Sequence, residues 1–309
     1  MLTTVLGHDA VFERFRRTLA NGRLASTYLF VGPAGVGKRL LARHLAGALL
    51  CRVRKDDQLS ACGSCASCQL VAAGNHPDLL TVSLPEDKNV LSIDLFVGDR
   101  EHRHQTGLCH DLSLRPAIGN RRVGIIDDAD HLNQESANCL LKTLEEPPPG
   151  SLLILIGTSP SRQLPTIRSR AQLVRFQPLQ EELLAQLIES NGLATSSAEA
   201  AQLASISDGS LERARRLADR ELWNFREQLA QWLERRPIDA VRLHRATVEF
   251  VEAAGKEAAL RRQRLRTVID FAVEFYRRQL RSEFSEAAAQ RLDDCLTALE
   301  SVDRNANQR

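Results

Sequence analysis

The sequence predicts an α/β fold with a parallel β-sheet, followed by an all-helical C-terminal part. Strand-like runs alternate with helical patterns up to residue 177, and such alternation favours a parallel sheet with helices on both faces. The all-apolar run Leu152–Ile156 is typical of a central strand buried on both sides. After Pro178 no convincing strand appears, and the pattern from about Leu222 to Val302 is helical and rich in Ala, Leu, Arg and Glu. The short helices predicted before it are Leu183–Asn191, Ser197–Ser205 and Leu211–Trp223. The predicted strands are Thr27–Val31, Leu79–Ser83, Arg122–Ile126, Leu152–Ile156 and Gln172–Phe176.

Composition places the chain among globular proteins with more than one domain. It has 309 residues, of which 43% are apolar and 26% charged, and its net charge is +2. The near balance of charge argues against a strongly basic nucleic-acid-binding body. The segment Met1–Thr4 does not begin a secretion signal, and Leu152–Ile156 is too short to cross a bilayer. We therefore expect a cytoplasmic protein without a membrane segment.

A phosphate-binding loop follows the first predicted strand and precedes the helical pattern Lys38–Cys51. Residues 32–39 have the sequence GPAGVGKR, which matches the Walker A pattern G-x-x-x-x-G-K-S/T except at its last position. That position normally carries a hydroxyl that ligates Mg²⁺, and Arg39 cannot do so. The loop therefore predicts weak or vestigial binding of ATP or ADP through backbone amides and a lysine charge. The predicted phosphate-binding residues are Gly32, Gly35, Gly37 and Lys38.

Four of the seven cysteines lie within 18 residues, between the first predicted helix and the second strand. The spacing C-x10-C-x2-C-x2-C in a reducing compartment predicts a zinc knuckle at about 51–70. Four thiolates leave no open coordination position, so this zinc would be structural. An iron–sulfur cluster and free thiols remain as alternatives. The predicted ligands are Cys51, Cys62, Cys65 and Cys68.

An apolar strand that ends in acidic residues supplies a second nucleotide-binding pattern. Residues 121–130 have the sequence RRVGIIDDAD, which fits a Walker B strand with Asp127 at its carboxyl end. Asp128 occupies the place where an ATPase usually has a glutamate that orients water. The alternative is a strand that ends in a polar turn. Together with the upstream loop, the pattern predicts that both aspartates belong to a nucleotide site.

Residues 138–148, with the sequence NCLLKTLEEPP, carry a resemblance to a known family, together with Thr158 and the IRSR sequence of 167–170. They resemble the bacterial DNA polymerase III clamp-loader subunits, which are AAA+ proteins. The cysteine knuckle and the triplet His76–Asp78 agree with the same family, and the resemblance covers about residues 5–215. It implies an AAA+ core over 1–177 with Thr158 at the nucleotide site, a helical lid over 178–222 and a helical collar over 223–309.

Two branches of this family compete, the ATP-hydrolysing gamma/tau subunits and the delta-prime subunits. Arg39 and Asp128 depart from the motor pattern, and Glu212 stands where the motor subunits carry a nucleotide-sensing arginine. The sequence also ends at Arg309, without the long extension of tau. The resemblance therefore favours a delta-prime-like, largely non-hydrolysing subunit. Its implied partners are the gamma/tau and delta subunits, the sliding clamp and primed DNA.

The same resemblance assigns a role to Arg170. The family's Ser-Arg-Cys motif is present here as Ser169-Arg170-Ala171, and its arginine contacts ATP bound to a neighbouring subunit. Such an arginine finger stabilises the charge of the transferred phosphoryl group. The alternatives are an arginine at a helix C-terminus or in a salt bridge. Arg168 is the weaker candidate for the finger.

Several features leave the function open. A gamma/tau-type motor remains an alternative, and so does a zinc-bearing DNA-binding regulator with a degenerate nucleotide pocket. The arginine clusters 261–266 and 277–281 predict either a solvated helix face or a contact with DNA or a partner subunit. The His- and Arg-rich stretch 100–105 has no assigned role.

Overall fold

A five-stranded parallel sheet organises the N-terminal part of the chain. The strand order is β2-β3-β4-β1-β5, and β1 lies between β4 and β5. Leu29 on β1 is opposite both Leu155 on β4 and Leu173 on β5. All five predicted strands are present, so the α/β fold class is confirmed. The strands are β1 (Thr27–Val31), β2 (Leu79–Val82), β3 (Arg122–Ile126), β4 (Ser151–Gly157) and β5 (Gln172–Arg175).

The structure is a computed structural model that describes residues 6–85, 88–235, 237–282 and 285–306. It divides into two compact units, Met1–Ala214 and Arg215–Arg309. The segment Met1–Thr4, on which the prediction about secretion rests, lies outside the described residues. Among the described helices, none is both long and apolar enough to span a membrane.

Apolar cores cover both faces of the sheet because successive strand side chains point to opposite sides. Phe30 and Ile154 pack in one core with helices on their face, whereas Leu29 and Leu155 pack in the other. Residues 152–157 of β4 are all buried, as expected for a central strand with helices on both sides. This double burial fixes the carboxyl ends of β1, β3 and β4, where the candidate site lies.

The described residues also form fourteen α-helices and three short 3-10 helices. The predicted single helix Leu211–Trp223 is wrong, because the chain forms two helices there, Leu211–Leu217 and Arg220–Glu234. The Asp219 carboxylate accepts the Glu221 amide and so caps a new helix start. The helices are α1 (Asp9–Ala20), α2 (Lys38–Leu49), α3 (Ala66–Ala73), α4 (Asp94–Val97), α5 (Leu108–Ser113), α6 (Gln134–Glu145), α7 (Pro165–Arg168), α8 (Glu181–Ser190), α9 (Ser197–Ile206), α10 (Leu211–Leu217), α11 (Arg220–Glu234), α12 (Ala240–Glu252), α13 (Ala258–Ser282) and α14 (Glu286–Ala306).

The C-terminal unit is entirely helical in its described residues, as predicted. Phe225 on α11 stacks on Phe250 on α12 with 4.0 Å between ring centroids. In the first arginine cluster, Arg264 lies over the Phe250 ring and pairs with Glu221 at 3.5 Å, so it stabilises the helix packing. Arg262 and Arg266 are exposed, and for them the prediction stays open.

The second arginine cluster and the stretch 100–105 lie on the surface. Arg278 pairs with Glu274 on the same helix at 3.3 Å, and the side chain of Arg281 lies outside the described part of the chain. The stretch 100–105 is an exposed loop between α4 and α5. Its start is ordered by Asp99, whose carboxylate accepts the His102 amide at 2.8 Å.

Candidate functional site

In the phosphate-binding loop, the side chain of Lys38 is bound by backbone carbonyls of the same loop. The Lys38 ammonium donates to the carbonyl oxygens of Gly32 at 2.7 Å and Pro33 at 2.6 Å, and only 7% of the residue is exposed. Burial lowers the pKa of Lys38, although nearby carboxylates, foremost Asp130 and Asp127, oppose this shift. The charge predicted to bind phosphate is thus already solvated by the loop backbone.

Arg39 pairs with the Walker B aspartate. Its Nε lies 3.3 Å from Oδ2 of Asp127, whose side chain is only 13% exposed. Burial raises the pKa of Asp127, the neighbouring Asp128 raises it further, and Arg39 counteracts both effects. The Arg39 guanidinium therefore pairs with the carboxylate that would bind Mg²⁺, and the side chain of residue 39 offers no oxygen ligand. These residues do not fit the Mg²⁺ site of an ATPase.

Asp128 begins the turn that follows β3. It has a φ of 56°, in the left-handed region that few non-glycine residues adopt, and its side chain is exposed. Its backbone carbonyl accepts the His131 amide at 2.9 Å. The acidic end of β3 is thus both a polar turn, which is the alternative raised by the sequence, and a neighbour of the lysine. A role for Asp128 toward nucleotide stays a prediction.

Sequence reasoning missed the residue that connects this site, Asp130. One carboxylate oxygen accepts the amide of Thr158 at 2.8 Å and its hydroxyl at 2.5 Å. The other accepts the side-chain amide of Gln163, also at 2.5 Å, and Gln163 is buried. The predicted nucleotide contact Thr158 is therefore held by Asp130 within this chain. The acidic run 127–130 was the available signal, because its last member lies within reach of the end of β4.

The start of α10 closes over the phosphate-binding loop. Gly35 has a φ of 73°, and a Cβ at this position would lie 2.4 Å from both Ser210 Oγ and Glu212 Cβ. The Leu211 amide also donates to the Gly35 carbonyl at 3.2 Å. Glu212 thus lies beside the loop and attracts Lys38. It adds negative charge where a nucleotide would need positive charge.

The four clustered cysteines converge. Their sulfur atoms all lie within 4.8 Å of one another, and the Cys62 and Cys68 sulfurs are 3.8 Å apart. A tetrahedron with Zn–S bonds of about 2.3 Å has sulfur–sulfur edges of about 3.8 Å. The donor set therefore fits a tetrahedral metal ion. The other described cysteines, Cys109, Cys139 and Cys295, are not part of this cluster.

Backbone amides support the sulfur atoms. The Cys65 amide donates to the Cys62 sulfur at 3.3 Å, and the Cys68 amide donates to the Cys65 sulfur at 3.4 Å. Amides from Cys65 and Ser64 lower the pKa of the Cys62 thiol to about 6, whereas burial raises the pKa of the Cys68 thiol to about 12. A bound cation would remove this contrast, because metal ligation favours thiolate at every position.

A buried polar network joins the knuckle to the sheet. The hydroxyl of Ser67 on α3 contacts the His76 ring at 2.8 Å, and that ring accepts the amide of Asp78. The fully buried Asp78 carboxylate accepts amides from 117 to 119 and lies 3.6 Å from Arg122. Burial alone would raise the pKa of Asp78, but these amides and Arg122 hold it below its usual value. The His-Pro-Asp triplet is therefore a structural brace.

We expect Asp78→Asn to destabilise the protein by about 2 kcal/mol at pH 7, because a neutral amide replaces a carboxylate that accepts three backbone amides. The folded-state pKa of Asp78 is lowered, so its contribution is complete above the unfolded value of about 3.9 and is lost as pH falls below it. The difference between wild type and variant in urea unfolding should therefore shrink from pH 5 to pH 3.

A matched control for this prediction is Asp56→Asn. Asp56 pairs with Arg121 at 3.1 Å near the surface, where side-chain exposures are 39% and 32%. Such a pair should contribute about 1 kcal/mol or less. Equal losses of stability in Asp78→Asn and Asp56→Asn would contradict the role of Asp78 as a structural brace.

Arg170 lies after α7 and is held by the chain's own groups. Its Nη2 pairs with Oε1 of Glu145 at 2.6 Å, and its Nη1 donates to the Thr166 carbonyl and the Ser169 hydroxyl, both at 3.1 Å. One third of its side chain is exposed. Arg168 is exposed on the same short helix. No contact described in this structure joins Arg170 to the phosphate-binding loop.

Comparisons with known proteins agree on one family. The family described as DNA polymerase III, delta subunit, matches residues 7–180. The Pseudomonas aeruginosa DNA polymerase III subunit delta' (delta-prime) is 41% identical over 146 residues, which are 47% of this chain and 41% of that protein. The Escherichia coli delta-prime subunit is 32% identical over 222 residues, 72% of this chain and 63% of that protein. The match thus spans about half the length of these relatives.

More distant similarities extend to related subunits. The Haemophilus influenzae DNA polymerase III subunit tau/gamma is 31% identical over 182 residues, 59% of this chain and 24% of that protein. A solved gamma subunit-related protein from Thermotoga maritima aligns with 96% of this chain and 99% of its own, at 15% identity and a TM-score of 0.44. Since the family match covers more than half of the sequence, the chain belongs to the DNA polymerase III delta-subunit family.

Proposed function

We propose that the chain is a delta-prime-like clamp-loader subunit that does not hydrolyse ATP and supplies Arg170 to the ATP site of a neighbouring subunit. The observation that carries this proposal is the pairing of Arg39 with Asp127, which uses the metal-binding carboxylate for an internal ion pair. The family match supports the placement in DNA polymerase III, and the names of the tau/gamma relatives supply the neighbouring subunit.

The electrostatics of the loop support the absence of turnover. Lys38 is bound to carbonyls of its own loop, and four carboxylates act on it, those of Asp127, Asp128, Asp130 and Glu212. A nucleotide phosphate would have to displace these contacts without Mg²⁺ to offset its charge. Any binding of ATP or ADP should therefore be weak and unproductive.

The position of Arg170 supports a role in trans. It lies at the surface, outside the contacts of its own phosphate-binding loop, and its guanidinium is oriented by three partners. An arginine finger needs an ordered fork of donors that can reach a neighbour's phosphate oxygens. The ordered guanidinium and its partial exposure support this role.

For the cysteine cluster we propose one structural zinc ion, held by Cys51, Cys62, Cys65 and Cys68. The sulfur geometry fits a four-thiolate site, and four protein ligands leave no position for a reacting water. The zinc would fix the segment 51–70 against the end of α2. An iron–sulfur cluster would use the same ligand type, and elemental analysis distinguishes the two.

We propose the following division of labour for the whole chain. Residues 1–177 form the AAA+ core, 178–222 a lid and 223–309 a collar for oligomerisation. The partners would be gamma/tau and delta subunits, and the sliding clamp and primed DNA would be engaged by the whole cytoplasmic complex. In this arrangement the chain is a stator for DNA replication rather than a motor.

Reconstitution tests this function. The full chain should co-purify with gamma/tau-type and delta-type subunits as one complex, and that complex should load a clamp onto primed DNA in an ATP-dependent reaction. Loading without the chain at the same rate would contradict a stator role. DNA binding by the chain alone, without assembly into a complex, would instead favour the alternative function of a zinc-bearing DNA-binding regulator.

We expect the isolated chain to show negligible ATP turnover, and Arg39→Thr to leave it slow. The substitution restores a hydroxyl ligand for Mg²⁺ and frees Asp127 from its ion pair. However, Asp128 and Glu212 still differ from the motor pattern. ATP turnover is measured as phosphate release by the wild-type chain and by Arg39→Thr, with Lys38→Ala as the background control. Fast turnover by Arg39→Thr would show that residue 39 alone blocks the site.

A further inference from the structure

We propose that Glu145 is the positioning residue for Arg170, an inference that rests on the proposed function. Glu145 is the last residue of α6, and its Oε1 lies 2.6 Å from Nη2 of Arg170. It is the first glutamate of the LEEPP sequence of residues 144–148. The ion pair links this segment to the arginine that is proposed to act in trans.

The two ends of the ion pair are carried by elements that share one core. Leu144, next to Glu145, is buried in the same apolar cluster as Ile167 of α7. Leu140 of α6 belongs to that cluster and is fully buried. The backbones that carry Glu145 and Arg170 are therefore fixed relative to each other. A carboxylate on a fixed helix end can select one orientation of a long, flexible side chain.

The guanidinium is restrained through both of its terminal nitrogens. Nη2 binds Glu145, whereas Nη1 donates to the Thr166 carbonyl and the Ser169 hydroxyl. A planar fork held at two nitrogens keeps its plane, and its remaining N–H groups can face a neighbour. Without Glu145, Thr166 and Ser169 would hold only one nitrogen, and the side chain would sample other rotamers.

Helix energetics do not account for a glutamate at this position. A carboxylate at the C-terminal end of a helix is disfavoured by the helix dipole. The guanidinium of Arg170 offsets this charge through the ion pair. Their side chains are 50% and 33% exposed, so the pair should contribute little to the stability of the fold. The ion pair would then serve to orient the guanidinium of Arg170.

The test uses the reconstituted complex with full-length chains. We define the Arg170-dependent hydrolysis as the difference in ATP turnover between wild type and Arg170→Ala, at saturating clamp and primed DNA. Glu145→Ala should reduce this component about tenfold, since small misplacements of a catalytic group are costly. Glu145→Gln keeps an oxygen acceptor for Nη2 and should retain a larger share. The KM for ATP and the melting temperature should stay unchanged in both variants.

The adjacent residue provides a matched control. Glu146 is exposed and lies outside the ion pair. A complex that contains Glu146→Ala should therefore hydrolyse ATP at the wild-type rate. In the Arg170→Ala background, Glu145→Ala should cause no further loss. That result separates positioning of the arginine from a general effect on assembly.

Three outcomes would overturn the inference. If the complex with Glu145→Ala hydrolysed ATP at the wild-type rate or faster, the ion pair would be neutral or inhibitory for hydrolysis. An equal loss in the Arg170→Ala background would show that Glu145 acts independently of the arginine. If Arg170→Ala itself leaves turnover unchanged, the proposed function fails, and the inference fails with it.

Discussion

Replacing Arg170 by alanine should slow ATP hydrolysis by about 10³-fold at the ATP site that this chain is proposed to complete. The physical reason is the loss of a cation that is stabilising only when negative charge spreads over the transferred phosphoryl group. Assembly and zinc content should not change, because Arg170 lies at the surface after α7. Phosphate release by the reconstituted complex, at saturating clamp and primed DNA, measures the effect.

Two further variants test the chemistry of that arginine. Arg170→Lys should recover little activity, because one ammonium cannot reproduce the planar fork that engages two phosphate oxygens. Arg168→Ala removes an exposed arginine from the same short helix and should leave hydrolysis unchanged. If Arg168→Ala and Arg170→Ala slowed the reaction equally, the effect would belong to the surface charge rather than to a finger.

Replacing Cys62 by serine should abolish zinc retention and unfold the knuckle. Structural zinc contributes about 10 kcal/mol or more to folding in small zinc domains, and this energy requires all four thiolates. The sheet should remain folded, because the members of its two apolar cores lie outside the segment 51–70 with the exception of Leu59. Elemental analysis and circular dichroism after reducing purification measure the two effects.

Cys295→Ser is the matched control for the metal. Cys295 lies on α14 and is not one of the four converging cysteines, so its replacement should leave one zinc per chain. Iron in the purified wild-type protein, or no metal at all, would contradict the zinc assignment. An equal loss of metal in both variants would indicate a general effect of cysteine replacement.

Local patterns in the sequence were sufficient to predict the sheet and the cluster of four cysteines. The strands β1 to β4 are short, largely apolar runs. In β5, only Leu173 and Val174 are apolar. The C-x10-C-x2-C-x2-C spacing predicts convergence because three closely spaced cysteines form a knuckle, and Cys51, two residues after the end of α2, joins them. The mismatch at Arg39 was also visible, since one residue breaks a known pattern.

Contacts between distant segments could not be predicted in the same way. Arg39 and Asp127 belong to different elements, and the sequence gives no distance between their side chains. Asp130 acquires its role because parallel strands bring the end of β3 beside Thr158. The pair of Glu145 with Arg170 depends on the packing of α6 and α7. Such pairs follow from topology and packing.

The most direct test of a non-hydrolysing stator is ATP turnover measured while the chain is titrated into its motor subunits. The isolated chain should release no more phosphate than its Lys38→Ala variant. Added to gamma/tau-type and delta-type subunits with clamp and primed DNA, it should raise turnover until the subunits are saturated. The Lys38→Ala variant should do the same, because the chain's own loop does not hydrolyse ATP. Turnover by the isolated chain that Lys38→Ala abolishes would contradict this account.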